Sequence, residues 1–172
     1  MALIAKVYDA NVYINNASKF GQASEVTLPD VNYIMNEYNA LGMVGTPKFF
    51  NGIEAMEATF KWTYPDNEAQ IALANPTRAV DFMVRSSKAV YDNGGLVEEQ
   101  PVAAYIRGYS TKHPGGNFAG KQDVEVESTI AVNYFKLEIN GEEIIEVDAM
   151  NPDGLKVNGV SVLAERKTNL GL

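Results

Sequence analysis

Apolar and polar residues alternate along much of the chain with a period of two, as in strands that turn one face to a core. In "EAMEATFKW", Met56, Ala58, Phe60 and Trp62 fall on one face and Ala55, Glu57, Thr59 and Lys61 on the other, which predicts a core-facing strand. Val26 and Leu28 alternate with Glu25 and Thr27, and Pro29 ends that strand. Similar patterning predicts strands at residues 8–15, 31–38, 79–86 and 102–110, with a turn at Asn93, Gly94 and Gly95. From Val124 the even positions are apolar (Val126, Ile130, Val132, Tyr134), but from Phe135 the odd ones are (Leu137, Ile139). This slip predicts a β-bulge near Tyr134 that lets one long strand serve two packed sheets in turn.

The continuation "YFKLEINGEEIIEVDAMN" reads as a hairpin. A two-residue Asn140-Gly141 loop sets Glu138 against Glu143, a like-charge pair. A three-residue loop with Gly141 in the left-handed region keeps Phe135, Leu137, Ile145 and Val147 on one face, and is the expected register. Two short helices interrupt the β pattern. In "PDNEAQIALANP", Asp66 can cap, Glu68 suits the positive end of the helix dipole, and Pro76 stops the helix. So short a helix needs packing, here expected through Ile71 and Leu73. A second helix is expected in "VLAERK", capped by the Ser161 hydroxyl.

Length and charge narrow the function. The 172 residues fit one domain, residues 1–172. With 22 acidic against 14 basic residues the net charge is -8, which disfavours broad contact with nucleic acid or an anionic membrane. No cysteine is present, so disulfides and thiolate chemistry are excluded. The amino-terminal apolar run is interrupted by Lys6 and Asp9 and no later run approaches a membrane span, so neither a signal peptide nor a membrane anchor is expected.

Candidate chemistry is sparse. His113, the one histidine, lies in a glycine-rich loop without a companion ligand or nucleophile, and Gly115, Gly116 and Gly120 match no phosphate-binding spacing. Glu125 and Glu127 share a strand face, and a solvated polar face explains them better than paired catalytic acids. No catalytic residue, metal site or cofactor is expected. Nine tyrosines and seven phenylalanines leave a carbohydrate-binding β-sandwich module as an alternative, with a small hydrolase behind it. The segment "NALGMVGTPKFFNG" reads as a loop yet carries Leu41, Met43, Val44, Phe49 and Phe50, which suits either core or interface. Phe49 and Phe50, as neighbours on an extended segment, point to opposite sides.

At this loop the chain resembles the major tail tube proteins of contractile-tailed phages and R-type bacteriocins. The likeness runs through "VTLPDVNYIMNEYNALGM", "GIEAMEATF", "YIRG", "GKQDVEVESTIAVNYFKLEINGEEIIEVDAMN" and "VNGVSVLAERKTNLGL", in that order, and omits residues 86–101. It implies a mainly β, sandwich or barrel-like subunit with one short flanking helix and a short carboxy-terminal helix. Six such subunits would form a ring with a continuous inner β-barrel, stacked into a tube with no catalytic role. That tube would be a conduit for DNA ejection or a membrane-puncturing tube in a bacteriocin-like particle. The implied partners are further copies of the chain, the tail sheath, baseplate and tail terminator proteins, a tape measure protein in the lumen during assembly, and DNA in passage. The implied place is the virion tail, after assembly in the host cytoplasm. On this reading Leu41, Met43, Val44, Phe49, Phe50, Leu170 and Leu172 are candidates for the ring-stacking interface. Glu25, Glu57, Glu125 and Glu127 are candidates for the lumen wall, where acids would keep DNA from adhering.

Overall fold

The computed structural model describes residues 3–172, so Met1 and Ala2 of the amino-terminal run lie outside the described residues. The elements in chain order are β1 (Ile4–Ile14), β2 (Ala17–Ser18), β3 (Ala23–Thr27), β4 (Tyr33–Glu37), β5 (Lys48–Ile53), β6 (Met56–Trp62) and α1 (Asn67–Ala74). They continue as β7 (Val80–Asp92), β8 (Gly95–Lys112), β9 (Val126–Ile139), β10 (Glu142–Asp148), β11 (Leu155–Val157), β12 (Val160–Ser161) and α2 (Ala164–Asn169). Ten strands form one sheet in the order β12-β11-β10-β9-β8-β7-β1-β2, with β6 and then β3 added beside β9; β4 and β5 pair only with each other.

The long strand β9 organises the fold. Along one edge it pairs with β8; along the other, Val126–Val132 pair with β6 and Tyr134–Ile139 with β10. The switch occurs at a bulge, where Arg107 opposes Tyr134 but Gly108 opposes Val132, leaving Asn133 as the extra residue. Gly108 is required there: a Cβ would lie 2.2 Å from the Ala131 carbonyl oxygen, so the two strands approach too closely for a side chain.

The sheet curls until its two halves face one another as a sandwich. Phe60 of β6 and Phe82 of β7, separated by two intervening strands, stack at 4.6 Å between ring centroids, and Trp62 stacks on Phe60 at 5.8 Å. Val12, Ile14, Ala58, Ile106, Ile130, Phe135 and Val147 complete the core around them. Ser128 occupies an inward position in β9 and is fully buried; its Oγ accepts the Trp62 Nε1–H at 2.9 Å, so the indole donor does not go unsatisfied.

The helix α1 closes one end of the sandwich. The Asp66 carboxylate accepts the Ala69 N–H at 2.8 Å as its N-cap, and Lys19, only 2% exposed, reaches Asp66 at 2.9 Å and Glu68 at 2.8 Å. Ala69 and Leu73 face the core, whereas Ile71 points to solvent. Ile71 and Leu73 lie about 200° apart on a helix of 3.6 residues per turn, so both cannot pack on one sheet, which corrects the expectation for Ile71.

Three further expectations are corrected. The hairpin between β9 and β10 turns on two residues, Asn140 (φ 53°) and Gly141 (φ 78°), not three. Glu143 therefore does oppose Glu138, and a bulge at Ile144 then restores the register, setting Ile145 opposite Leu137 and Val147 opposite Phe135. Lys136, 2.8 Å from Glu138 and 4.0 Å from Glu143, offsets the like charges. Ser161 lies in β12 and donates to the Asp153 carbonyl; α2 begins after Leu163 without a side-chain cap. The supposed loop 39–52 is a hairpin tip followed by strand β5, because Lys48–Ile53 pair with β4.

Candidate assembly surfaces

Two projections leave the sandwich at the end away from α1. β6 runs from Met56, next to the β4–β5 hairpin, to Trp62, just before α1, so the hairpin and the helix mark opposite ends of one strand. β9 runs antiparallel to β6 and passes the level of Met56 at Val132, so β7 and β8 extend still further beyond it.

The first projection is the β4–β5 hairpin. Glu37 and Lys48 pair at 3.2 Å across its neck, and beyond them residues 38–47 carry no charged side chain. Leu41 and Val44 are as exposed as in an extended chain, at 105% and 109%; Met43 is also exposed, and Gly42 turns the tip at φ 87°. Phe49 is 59% exposed and lies edge-on to Tyr38, whereas Phe50 is half-buried, packs against the core and lies edge-on to Tyr33. A groove of about 380 Å³ at the base of the hairpin is lined by Phe50, Ile53, Met56, Leu155, Leu163 and Arg166. The helix α2 thus starts beside the hairpin. Leu170 and Leu172 at its far end are exposed, and the helix buries no residue of its own, being tied down through Lys167 to Asp153 at 3.3 Å.

The second projection is a three-stranded arm made by the first half of β1, the second half of β7 and the first half of β8. It contains residues 86–101. At its root β1 bulges around Asp9 (φ 52°), and the Ser86 hydroxyl donates to the carbonyls of Tyr8 and Asp9. Among the described residues, Ile4–Tyr8 pair only with β7, and so do Gly95–Gln100 of β8. Both edges of the arm are therefore open to another strand, and Ile4, Val7, Leu96 and Val97 are exposed along them. Sequence patterning misses this arm because its buried apolar residues, Ala89 and Val90, are neighbours on opposite faces and stand outside the main core cluster, so no alternation marks them.

Glu25, Lys61 and Glu127 form one row across β3, β6 and β9, on the outer face of that half of the sandwich. Glu57 is exposed on the same face of β6, and Glu125 is exposed just before β9. Lys61 reaches Glu25 at 2.8 Å, and this hydrogen bond, with the nearby Glu127 and Glu125, holds the ammonium above the usual lysine range. Three carboxylates, Glu25, Glu127 and Glu125, thus act on Lys61, and with Glu57 they make this face acidic. The outer face of the other half is mixed: Arg107 pairs with Asp81, and Lys136 sits 5.5 Å from the Tyr105 ring centre, around a cleft of about 570 Å³. In the adjoining β10, the hydrogen bond to Glu146 pushes the Glu143 carboxyl up.

His113 is exposed in its loop, and among the described residues no group of three or more His, Cys, Asp or Glu side chains could hold a metal ion. The geometry offers edges and apolar projections, the equipment of self-association.

Comparison with known proteins agrees. The sequence pattern of the family described as phage tail tube protein FII matches residues 4–171. The tail tube protein of Escherichia phage P2 is 32% identical over 178 aligned residues, covering 100% of both chains. Among solved structures, a chain of the sheath-tube complex of an extracellular contractile injection system in its extended state superposes with a TM-score of 0.56 at 14% identity, covering 77% of this chain and 90% of that one. A chain of the sheath/tube terminator of such a system gives 0.54 at 14% identity, covering 77% and 95%. At that identity the two structures speak for the fold alone, but the sequence matches span the chain, which belongs to the phage tail tube protein family of structural, non-catalytic tail components.

Proposed function

We propose that copies of this chain close into a six-membered ring by edge-to-edge strand addition and that the rings stack into the inner tube of a contractile tail. The observation that carries this is the arm, whose β1 and β8 edges are both unpaired among the described residues. Ring closure satisfies such edges in a way that a monomer cannot. The sheath surrounds the tube, the baseplate and terminator proteins cap its ends, and a tape measure protein occupies the lumen until DNA passes. Assembly takes place in the host cytoplasm and the product is part of the virion tail.

In this reading the acidic face bearing Glu25, Glu57, Glu125 and Glu127 lines the lumen, and the hairpin with Leu41, Met43, Val44, Phe49 and Phe50, together with Leu170 and Leu172, joins successive rings. Screening limits wall charge to a range of about 8 Å at physiological salt, so it acts on DNA that approaches the wall. Electron microscopy of the purified protein tests the tube, which predicts hollow stacked rings. The wall assignment is tested with Glu125→Gln/Glu127→Gln: tubes persist and retain more DNA at low salt, and equal retention by variant and parent refutes it.

A further inference from the structure

Stacking identical rings is a head-to-tail contact, so it needs two different surfaces at opposite ends of the subunit. The apolar tip of the β4–β5 hairpin supplies one. The other end, around the start of α1, carries three exposed aromatic side chains from three separate segments: Phe20 (84% exposed) after β2, Tyr64 after β6, and Phe118 (73% exposed) in the loop between β8 and β9. The rings of Tyr64 and Phe118 lie 6.4 Å apart. None of the three plays a part in the core.

We infer that the end surface bearing the Tyr64 and Phe118 pair, with Phe20 beside Lys19 on the same end, receives the hairpin tip of a second copy of this chain, and this rests on the tube reading above. The occupant follows from complementarity. Residues 38–47 carry no charge, so the tip enters an aromatic cradle without stripping water from an ion. Leu41 and Val44 project fully and have no apolar neighbour to cover them in their own subunit. The two surfaces differ in shape as a head-to-tail contact requires. The hairpin is a narrow finger; the cradle stands on a firm base, because Lys19 clamps Asp66 and Glu68 beneath it and Pro65 is fully buried. Gly115 and Gly120 flank Phe118 with open space around them, which gives the loop room to fold over an inserted side chain.

The absence of cysteine makes a direct test available. A Val44→Cys/Phe118→Cys variant, oxidised after assembly, should give a ladder of covalent multimers beyond the dimer on a non-reducing gel, because the two positions lie at opposite ends of each subunit. Each single variant should give dimers at most. Full-length tubes without a ladder overturn the inference but leave the tube reading intact, whereas wild-type protein that never stacks refutes the tube reading itself. A second pair of variants does not depend on disulfide geometry. Phe20→Asp/Phe118→Asp keeps the tip, Val44→Asp keeps the cradle, and each alone should stop at unstacked rings. Mixed together they should form paired rings, doubling the sedimenting mass. Full-length tubes from Phe20→Asp/Phe118→Asp overturn the assignment.

Discussion

Phe49 and Phe50 are adjacent but should fail in different ways when charged. Phe49 is 59% exposed. An aromatic side chain buries roughly 150–250 Å² when fully covered, so docking Phe49 would remove about 120 Å² from water. At about 25 cal/mol per Å² that is about 3 kcal/mol per copy. The contact recurs in every subunit of every ring, so a small loss per copy is multiplied along the tube. Phe49→Asp should leave the circular dichroism spectrum and melting temperature near those of the parent, while sedimentation velocity and electron microscopy show rings or subunits in place of tubes. Phe50 packs on the core and edges the Tyr33 ring at 5.9 Å. A carboxylate there loses that packing and faces apolar neighbours, which should cost at least about 2 kcal/mol of stability. The melting temperature should fall by several degrees at this chain length. If both variants build full-length tubes, the hairpin is no assembly element; if Phe49→Asp melts as low as Phe50→Asp, the assignment of sides is wrong.

Other consequences can be measured on the subunit alone. Gly108→Ala places a Cβ against the Ala131 carbonyl, where backbone must move, and should destabilise by about 1–3 kcal/mol or prevent folding; an unchanged denaturant midpoint refutes the close approach. Ser128→Ala leaves the buried Trp62 N–H without an acceptor and should cost about 1–3 kcal/mol, read from a urea titration of tryptophan fluorescence. The Ala69 N–H, Lys19 and Gln22 hold the Asp66 carboxyl below the ordinary range against the opposing effect of partial burial. A folded-state pKa below the unfolded one gives stability that is present above about pH 4 and is lost as the pH falls through the folded value. Thermal melts should therefore decline in that acid window, and Asp66→Asn should flatten the decline; parallel curves for variant and parent would contradict the linkage. Burial works against charge on Lys19, but hydrogen bonds to Glu68 and Asp66 outweigh it and raise its pKa, so its contribution is complete below about pH 10 and is lost as the pH rises further. Lys19→Met should remove that alkaline loss.

The sequence by itself determined the parts whose neighbours are local or whose burial is one-sided. Met56 to Trp62 show the core face because period-two alternation records burial directly, and the phase slip before Phe135 marks the bulge because one inserted residue inverts every later side chain. Asp66 identifies the start of α1 because capping is a contact between residues three apart. The tertiary structure alone decided the rest. Asn140-Gly141 reads as a turn in either register, and only the bulge at Ile144, set by pairing with β9, reconciles a two-residue loop with the packing of Ile145 and Val147. The arm of residues 86–101 has no alternation to read, since its buried Ala89 and Val90 are neighbours on opposite faces outside the main core cluster, and its partner Ile4–Tyr8 is some 80 residues away. Phe20, Tyr64 and Phe118 look like three unrelated aromatic residues until the curled sheet brings their segments to one end of the sandwich, because long-range pairing, and not any local pattern, sets their positions.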